Sequence, residues 1–443
     1  MQPHVHDFVG IGLGPFNLGL ACLSSTLEGL DCVFLERKAE FSWHPGLMLE
    51  SAHLQTPFMA DLVTMADPTH PLSFLNYAKQ QGRLYSFYIR ENFFLMRREF
   101  NQYCQWAARQ LSNLAFNRNV TAVEYDTEQA YYRITTVNPQ TAETCEYFAR
   151  RLVLGTGPAA SMPACCPKSH PRVMHSQDYL YKKNELQKQR SITVVGSGQS
   201  AAEIYYDLLQ DIDAKGYQLN WITRSPRFFP LEYTKLTLEM TSPDYVDYFY
   251  SLAPETRNAL LKQQNGLYKG INSELINAIY DLLYVKRLNG PLDSRITTNA
   301  SLQAVREQAG GLTLTFLHAE QEQAFEIYTQ YVVMATGYRH RLPEFLQGIQ
   351  QRINWEAPGR LAVDRHYSID KDKTLFVQNA ELHSHGFATP DLGMASYRNS
   401  CILRDILGYT PYPIEERIAF QTFTAQQNEA DYVYTRSLQE ARA

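Results

Sequence analysis

Three glycines at alternating positions, Gly10, Gly12 and Gly14, end an apolar run that starts at Phe8, and Pro15 follows them. Residues of these types at this spacing suit one kind of chemistry. Glycine permits a tight turn whose backbone N–H groups close on a pyrophosphate, and the dipole of a following helix favours the negative charge. Proline fits the first turn of such a helix, where its missing N–H breaks no bond. The pattern departs from G-x-G-x-x-G, and a glycine cluster alone is as readily an ordinary turn. Residues 30–36 then read as a second strand ending in Glu36, 22 residues past Gly14. A carboxylate there holds ribose hydroxyls and repels a 2′-phosphate, which favours FAD or NAD over NADP. A solvated Glu at a strand end is the ordinary alternative.

A second turn makes the first more informative. After residues 191–195, which read as a strand, Gly196, Gly198 and Ala201 form G-x-G-x-x-A, with Gln199 and Ser200 opening a helix. The small Ala201 allows close helix–strand packing. Residues 218–223 read as the next strand, which ends in Arg224 with Arg227 nearby. Each Arg alone is an ordinary surface charge, but cations at this point suit the 2′-phosphate of NADPH. Two dinucleotide turns of opposite ribose preference point to a flavin enzyme reduced by NADPH.

The elements that must position these residues follow from pattern. Residues 41–76 are aromatic, Pro-rich and polar without a clean period, and read as a long site-lining loop. Within it, His44 beside Trp43 is either catalytic or a packed, hydrogen-bonded histidine. An aromatic stripe at helical spacing predicts a helix over 91–112. Strands are expected at 120–125, 131–136, 151–154, 302–305 and 312–317, and several helices over 237–290. Residues 330–338 read as a buried strand ending in Ala335, Thr336, Gly337 and Tyr338, where small residues let the backbone approach a cofactor. A strand at 376–379 and a helix from about Ser396 complete the series. His383 and His385 alternate as a metal pair would, but no third ligand cluster supports one. The glycine-rich run through Asp391, Leu392 and Gly393 before a helix suits a flavin ring better, and no metal is expected.

Composition narrows the class. A chain of 443 residues suggests two or three domains, and 44% apolar residues allow large cores. A net charge of −5 without a dense basic patch argues against nucleic acid or an anionic membrane as a partner. Seven scattered cysteines without a C-x-x-C suit a reducing cytoplasm. Cys165 and Cys166 are either a redox pair or two loop thiols. Residues 8–27 carry no charge, yet the glycines and Pro15 near their start suit a nucleotide turn rather than a bilayer helix, so neither a targeting segment nor stable membrane insertion is expected.

In order along the chain, segments 10–18, 41–46, 54–76, 196–203, 335–338 and 385–398 resemble the siderophore amine N-hydroxylases. These are class B-type flavin monooxygenases that include lysine and ornithine N-hydroxylases. The resemblance implies an α/β fold of two Rossmann-like dinucleotide-binding domains with a small helical substrate-binding region. It assigns an FAD domain to 1–185 and 320–443, an NADPH domain to 186–236 and 291–319, and the helical region to 237–290. It implies that NADPH reduces FAD, that O2 adds at flavin C4a, and that the hydroperoxide gives one oxygen to a neutral amine nitrogen. Gln55 matches the Gln beside the flavin in relatives. Trp43, His44, Thr336, Tyr338 and Leu392 fall in segments expected at the cofactors. A homo-oligomer, dimer or tetramer, is also expected from relatives.

The departures bear on substrate. Lysine and ornithine enzymes carry Phe-Leu-Lys-Asp-Leu where this chain has Phe58-Met59-Ala60-Asp61-Leu62. That Lys pairs with the substrate α-carboxylate in relatives. In ornithine enzymes an Asn that also holds the carboxylate precedes the Tyr matching Tyr268; here it is Leu267. Without these partners a desolvated carboxylate is poorly tolerated. A diamine such as putrescine or cadaverine is therefore expected, with Asp391 as the candidate partner of its distal ammonium and Gly393 beside it. A helix N-cap is the alternative role for Asp391. Histamine stays open, as do lysine and ornithine. A flavin disulfide reductase shares the architecture but needs a cysteine pair beside the flavin, and a non-enzymatic nucleotide sensor would keep the fold without turnover.

Overall fold

The computed structural model describes residues 3–357 and 359–425. Two five-stranded parallel sheets carry the two glycine turns. The first runs in the order Leu375–Val377, Leu152–Leu154, Phe8–Ile11, Cys32–Leu35, Leu114–Ala115. The second runs Val173–His175, Tyr331–Met334, Ser191–Val195, Gln218–Ile222, Ser294–Thr297. Both faces of each sheet are covered, so the central strands are unbroken buried runs instead of alternating ones. On the first sheet, helices Pro15–Ser24, Arg97–Ala108 and Ala395–Leu407 pack one face around Phe8, Phe34 and Phe100. Antiparallel strands Asn119–Asp126, Tyr131–Val137 and Thr144–Ala149 share in the core on the other. On the second sheet, helices Gln199–Lys215 and Ser273–Leu288 cover one face. The strands Ala300–Gln308, Gly311–His318 and Gln323–Thr329 supply the core residues of the other. In both sheets the glycine turn leaves the carboxyl end of the central strand, where the strand order reverses, which is where an open α/β sheet binds ligands.

Residues 235–288 are helical, as expected. Pro243–Ser251 starts on Ser242, whose side chain accepts from the Tyr245 N–H, and Ser273–Leu288 starts on Asn272, which accepts from Glu274 and Leu275. This region docks on the C-terminal loop: Tyr245, Phe249, Leu267 and Tyr268 pack around Phe387, and Val246 packs on Ala388 and Met394.

Three differences from expectation have physical causes. The helix expected from 91 starts at Arg97, because Phe94–Met96 is a strand paired antiparallel with His53–Pro57. A tertiary partner overrides the helical stripe there. Residues 53–57, expected as loop, are the other member of that pair. Strands Val173–His175 and Tyr331–Met334, placed by the expected boundaries in the first unit, pair in the second sheet, with Thr193 opposite Val332. Apolar runs mark buried strands but not which sheet takes them. Residues 1–2 and 426–443 of the expected first unit lie outside the described residues. No described helix is long and apolar enough to cross a membrane.

Candidate active site

At the first turn, Gly12 has φ +86°, and a Cβ there would lie 2.7 Å from the Gly155 carbonyl oxygen. Only glycine fits. Gly14 faces open space and begins helix Pro15–Ser24 without a side-chain cap, with Pro15 at its start, so the first N–H groups are free for an anion. Glu36 is buried, and it is no solvated strand end. Its Oε2 accepts the Leu13 N–H at 2.8 Å and its Oε1 the Lys38 N–H at 3.0 Å. The carboxylate thus braces the turn and keeps lone pairs for ribose hydroxyls. Asn17 braces it from the other side: its Nδ2 donates to the Gly12 carbonyl at 2.7 Å, and Gln378 Nε2 donates to its Oδ1 at 2.7 Å.

At the second turn, Gly196 has φ +146°, and a Cβ would collide with the Ala335 carbonyl. Gly198 begins helix Gln199–Lys215, again without a side-chain cap, with Ser200 in its first turn. Arg224 is exposed just beyond the next strand and has no ion-pair partner among the described residues, while Arg227 lies 4.5 Å over the Phe229 ring. Two uncapped helix starts, two cradles closed to side chains, an acid at one and a free cation at the other fit FAD at the first turn and NADPH at the second.

The residues between the turns meet. Gln55, on the strand paired with Phe94–Met96, donates from Nε2 to Gln199 Oε1 at 3.2 Å. Trp43 stacks edge-on against Phe100 at 5.2 Å and lies 5.0 Å from the His44 ring, which is 6.1 Å from Tyr338. His44 has φ +47° and keeps an open side to solvent. Surrounding protein, then Arg97 and Lys38, push its pKa down to about 4, so the imidazole is neutral at pH 7. Tyr338 has a buried hydroxyl without a hydrogen-bond partner among the described residues. Thr336 donates from Oγ1 to the Ser161 carbonyl at 2.5 Å, which ties residues 159–161 to this strand end.

Asp391 does cap a short helix: its Oδ1 accepts the Gly393 N–H at 2.7 Å, at the start of Leu392–Met394. Burial raises its pKa, while the Gly393 N–H and the Arg398 guanidinium pull it down. Four residues before it, the loop meets the helical region, where Tyr268 stacks on Phe387 at 6.2 Å and 18°. Ala60 is buried in the turn after His53–Pro57. Pro57 pairs with Phe94, whose ring is 5.9 Å from Tyr233, and the Tyr233 phenol is raised in pKa by burial and then by Asp391. Tyr233 therefore feels the charge of Asp391, a coupling that sequence spacing did not signal.

His383 and His385 turn away from each other: His383 Nε2 meets the Leu361 carbonyl at 2.7 Å, and His385 Nε2 the Arg365 carbonyl at 3.2 Å. The described residues bring one other set of ligand atoms together, His4, His6 and Asp31, where each imidazole reaches the carboxylate at 2.8 Å. All seven cysteines are free thiols. Burial pushes Cys166 up to about 12, then the neighbouring Cys165 adds to it, which leaves an unreactive thiol.

The likeness to known proteins covers nearly the whole chain. It is 58% identical over 419 residues to the putrescine N-hydroxylase of Shewanella oneidensis, spanning 95% of this chain and 84% of that protein. It is 47% identical to the putrescine N-hydroxylase of Acinetobacter baumannii, spanning 96% and 95%. The FAD-bound structure of DfoA, the cadaverine monooxygenase of the desferrioxamine biosynthetic pathway of Erwinia amylovora, superimposes with a TM-score of 0.94 at 60% identity, covering 96% of this chain and 100% of that one. The model of the L-lysine 6-monooxygenase/L-ornithine 5-monooxygenase family matches residues 4–340, and with both glycine turns and the strand of Gln55 inside that span, the chain belongs to this family.

Proposed function

We propose that this chain is an FAD- and NADPH-dependent N-hydroxylase of a primary amine that lacks a carboxylate, putrescine or cadaverine, in siderophore biosynthesis. The observation that carries this is the chemistry between the helical region and the C-terminal loop. Ala60 is buried, Leu267 packs among the aromatic rings around Phe387, and Asp391 follows Phe387 by four residues on the C-terminal loop. An amino acid would place its carboxylate against apolar groups and an acid. A diamine brings an ammonium that Asp391 can pair with, and that charge restores the ionised form that burial disfavours.

FAD, reduced by NADPH, supplies the oxygen chemistry when bound. The glycine turns seat the two pyrophosphates, Glu36 and Arg224 select the ribose, and Asp391 with Tyr268 holds the diamine's far end. The near nitrogen is then held in a dry site, where its neutral form reacts. Gln55, Trp43, His44, Thr336, Tyr338 and Leu392 are proposed at the cofactors, and Gly393 at the substrate. A dimer or tetramer is proposed from the resemblance to relatives, and a reducing cytoplasm from the seven free thiols.

The test is hydroxylamine formation with putrescine, cadaverine, histamine, lysine and ornithine under NADPH. A diamine is expected to exceed both amino acids in kcat/KM by about 100-fold, the cost of one buried unpaired charge. The highest kcat/KM with lysine or ornithine would overturn the substrate assignment.

A further inference from the structure

We infer that Glu203, acting through Gln199, fixes which end of the Gln55 amide faces the cleft between the two nucleotide turns. The inference rests on the placement of Gln55 beside the flavin. Gln199 Oε1 accepts the backbone N–H of Asn272 at 2.9 Å, and Gln199 Nε2 donates to Glu203 Oε1 at 3.0 Å. A backbone N–H only donates and an ionised carboxylate only accepts, so the Gln199 amide has one orientation, set independently at each end. Gln55 reaches the same Oε1, and only its NH2 group can do so. Its own carbonyl oxygen is left over. That oxygen accepts no hydrogen bond from the described residues, and Gln55 is half-buried.

Glu203 is held in place for this task. Arg97 meets it with two parallel bonds, Nη2 to Oε1 at 2.8 Å and Nη1 to Oε2 at 2.9 Å, with both side chains largely buried. Arg97 is fixed in turn by the Leu47 carbonyl at 2.6 Å and by its own N–H on the Ala52 carbonyl at 2.8 Å. Ala52 directly precedes the strand that carries Gln55. The relay therefore starts and ends on the first half of the molecule and passes through the first residue of the second turn's helix. It delivers a fixed acceptor, and the partner of an acceptor is an N–H donor. The reacting amine and the flavin ring both bring one. Glu203 and Gln199 are positioning residues, and Gln55 is the group they aim.

The test is Gln199→Met, which keeps the length of the side chain and removes both orienting bonds while leaving Arg97 and Glu203 paired. Hydroxylamine formed per NADPH oxidised is expected to fall about fivefold, the worth of one hydrogen bond. A rise in amine KM with an unchanged flavin spectrum identifies the amine as the donor. A shifted flavin spectrum without amine identifies the flavin. Glu203→Gln should move the same readouts in the same direction, since its amide can offer Gln199 a donor as well as an acceptor. If the ratio, amine KM and flavin spectrum of Gln199→Met all stay within twofold of the parent, or if only NADPH KM changes, the relay is wrong. Gln55→Leu separates the two levels: a loss of coupling in Gln55→Leu with none in Gln199→Met refutes the relay alone, whereas no loss in either refutes the placement of Gln55 itself.

Discussion

At the scale of single residues, Asp391 carries two roles that the sequence offered as alternatives. It caps the Leu392–Met394 turn and is a half-buried acid of the C-terminal loop. Burial raises its pKa above that of an unfolded Asp, about 4. The native state thus holds this proton more tightly than the unfolded chain does. The resulting stability is complete below pH 4 and is lost as pH rises through the raised pKa. Asp391→Asn keeps an oxygen for Gly393 and removes this penalty. The variant is expected to melt no lower than its parent at pH 8, while its KM for the diamine rises about 10–100-fold, the worth of a charged hydrogen bond. Unfolding curves and steady-state kinetics at pH 8 check both, and a KM within threefold of the parent would remove Asp391 from the substrate site. The candidate residues that were legible in the sequence share one property: residue type and spacing along the chain announce the turn they sit in. Gly12 and Gly196 are examples, each at positive φ in a strand–turn–helix unit, although the carbonyl each one faces comes from a distant part of the chain. Arg97 and Glu203 had no such signature, because the pair is joined across 106 positions and each alone is an ordinary charge.

At the scale of elements, the strand–turn–helix units were readable and their partners were not. The runs at 8–11 and 191–195 are buried throughout because both faces of each sheet are covered, and the glycines and Ala201 mark where each helix comes close. The pairing of Phe94–Met96 with His53–Pro57 was hidden, since its aromatic residues fit a helix stripe as well as a short strand. A substitution confined to one such unit should disable one half-reaction. A methyl group on Gly196 meets the Ala335 carbonyl, which belongs to a buried strand end and has little room to move. Gly196→Ala is expected to purify with FAD bound but to be reduced by NADPH about 100-fold more slowly, from strain on the order of 3 kcal/mol. Stopped-flow absorbance of the flavin measures this. Reduction at the parent rate would show that the second turn does not seat the nucleotide.

At the scale of the whole molecule, two cores must hold the two turns in one relation while hydride and then oxygen chemistry proceed between them. The Arg97–Glu203 pair is the buried charge contact that joins these cores. Arg97 opens the helix that packs Phe100, Tyr103 and Cys104 into the first, and Glu203 lies on the helix that packs Ala201, Ile204 and Tyr205 into the second. Removing one partner leaves the other charge buried without compensation, which costs about 3–5 kcal/mol. In a protein of this size that corresponds to a fall in Tm on the order of 4 °C. Arg97→Met is therefore expected to melt about that much lower and to lose cooperativity between the halves. Calorimetry of the FAD-bound enzyme should then resolve two transitions, of which only one moves up with added NADP+, because a ligand stabilises only the unit that binds it. In the parent, both nucleotides should raise a single transition. A variant that melts within 1 °C of the parent in one transition would mean that apolar packing alone holds the halves together, and that the ion pair serves only to orient Gln199.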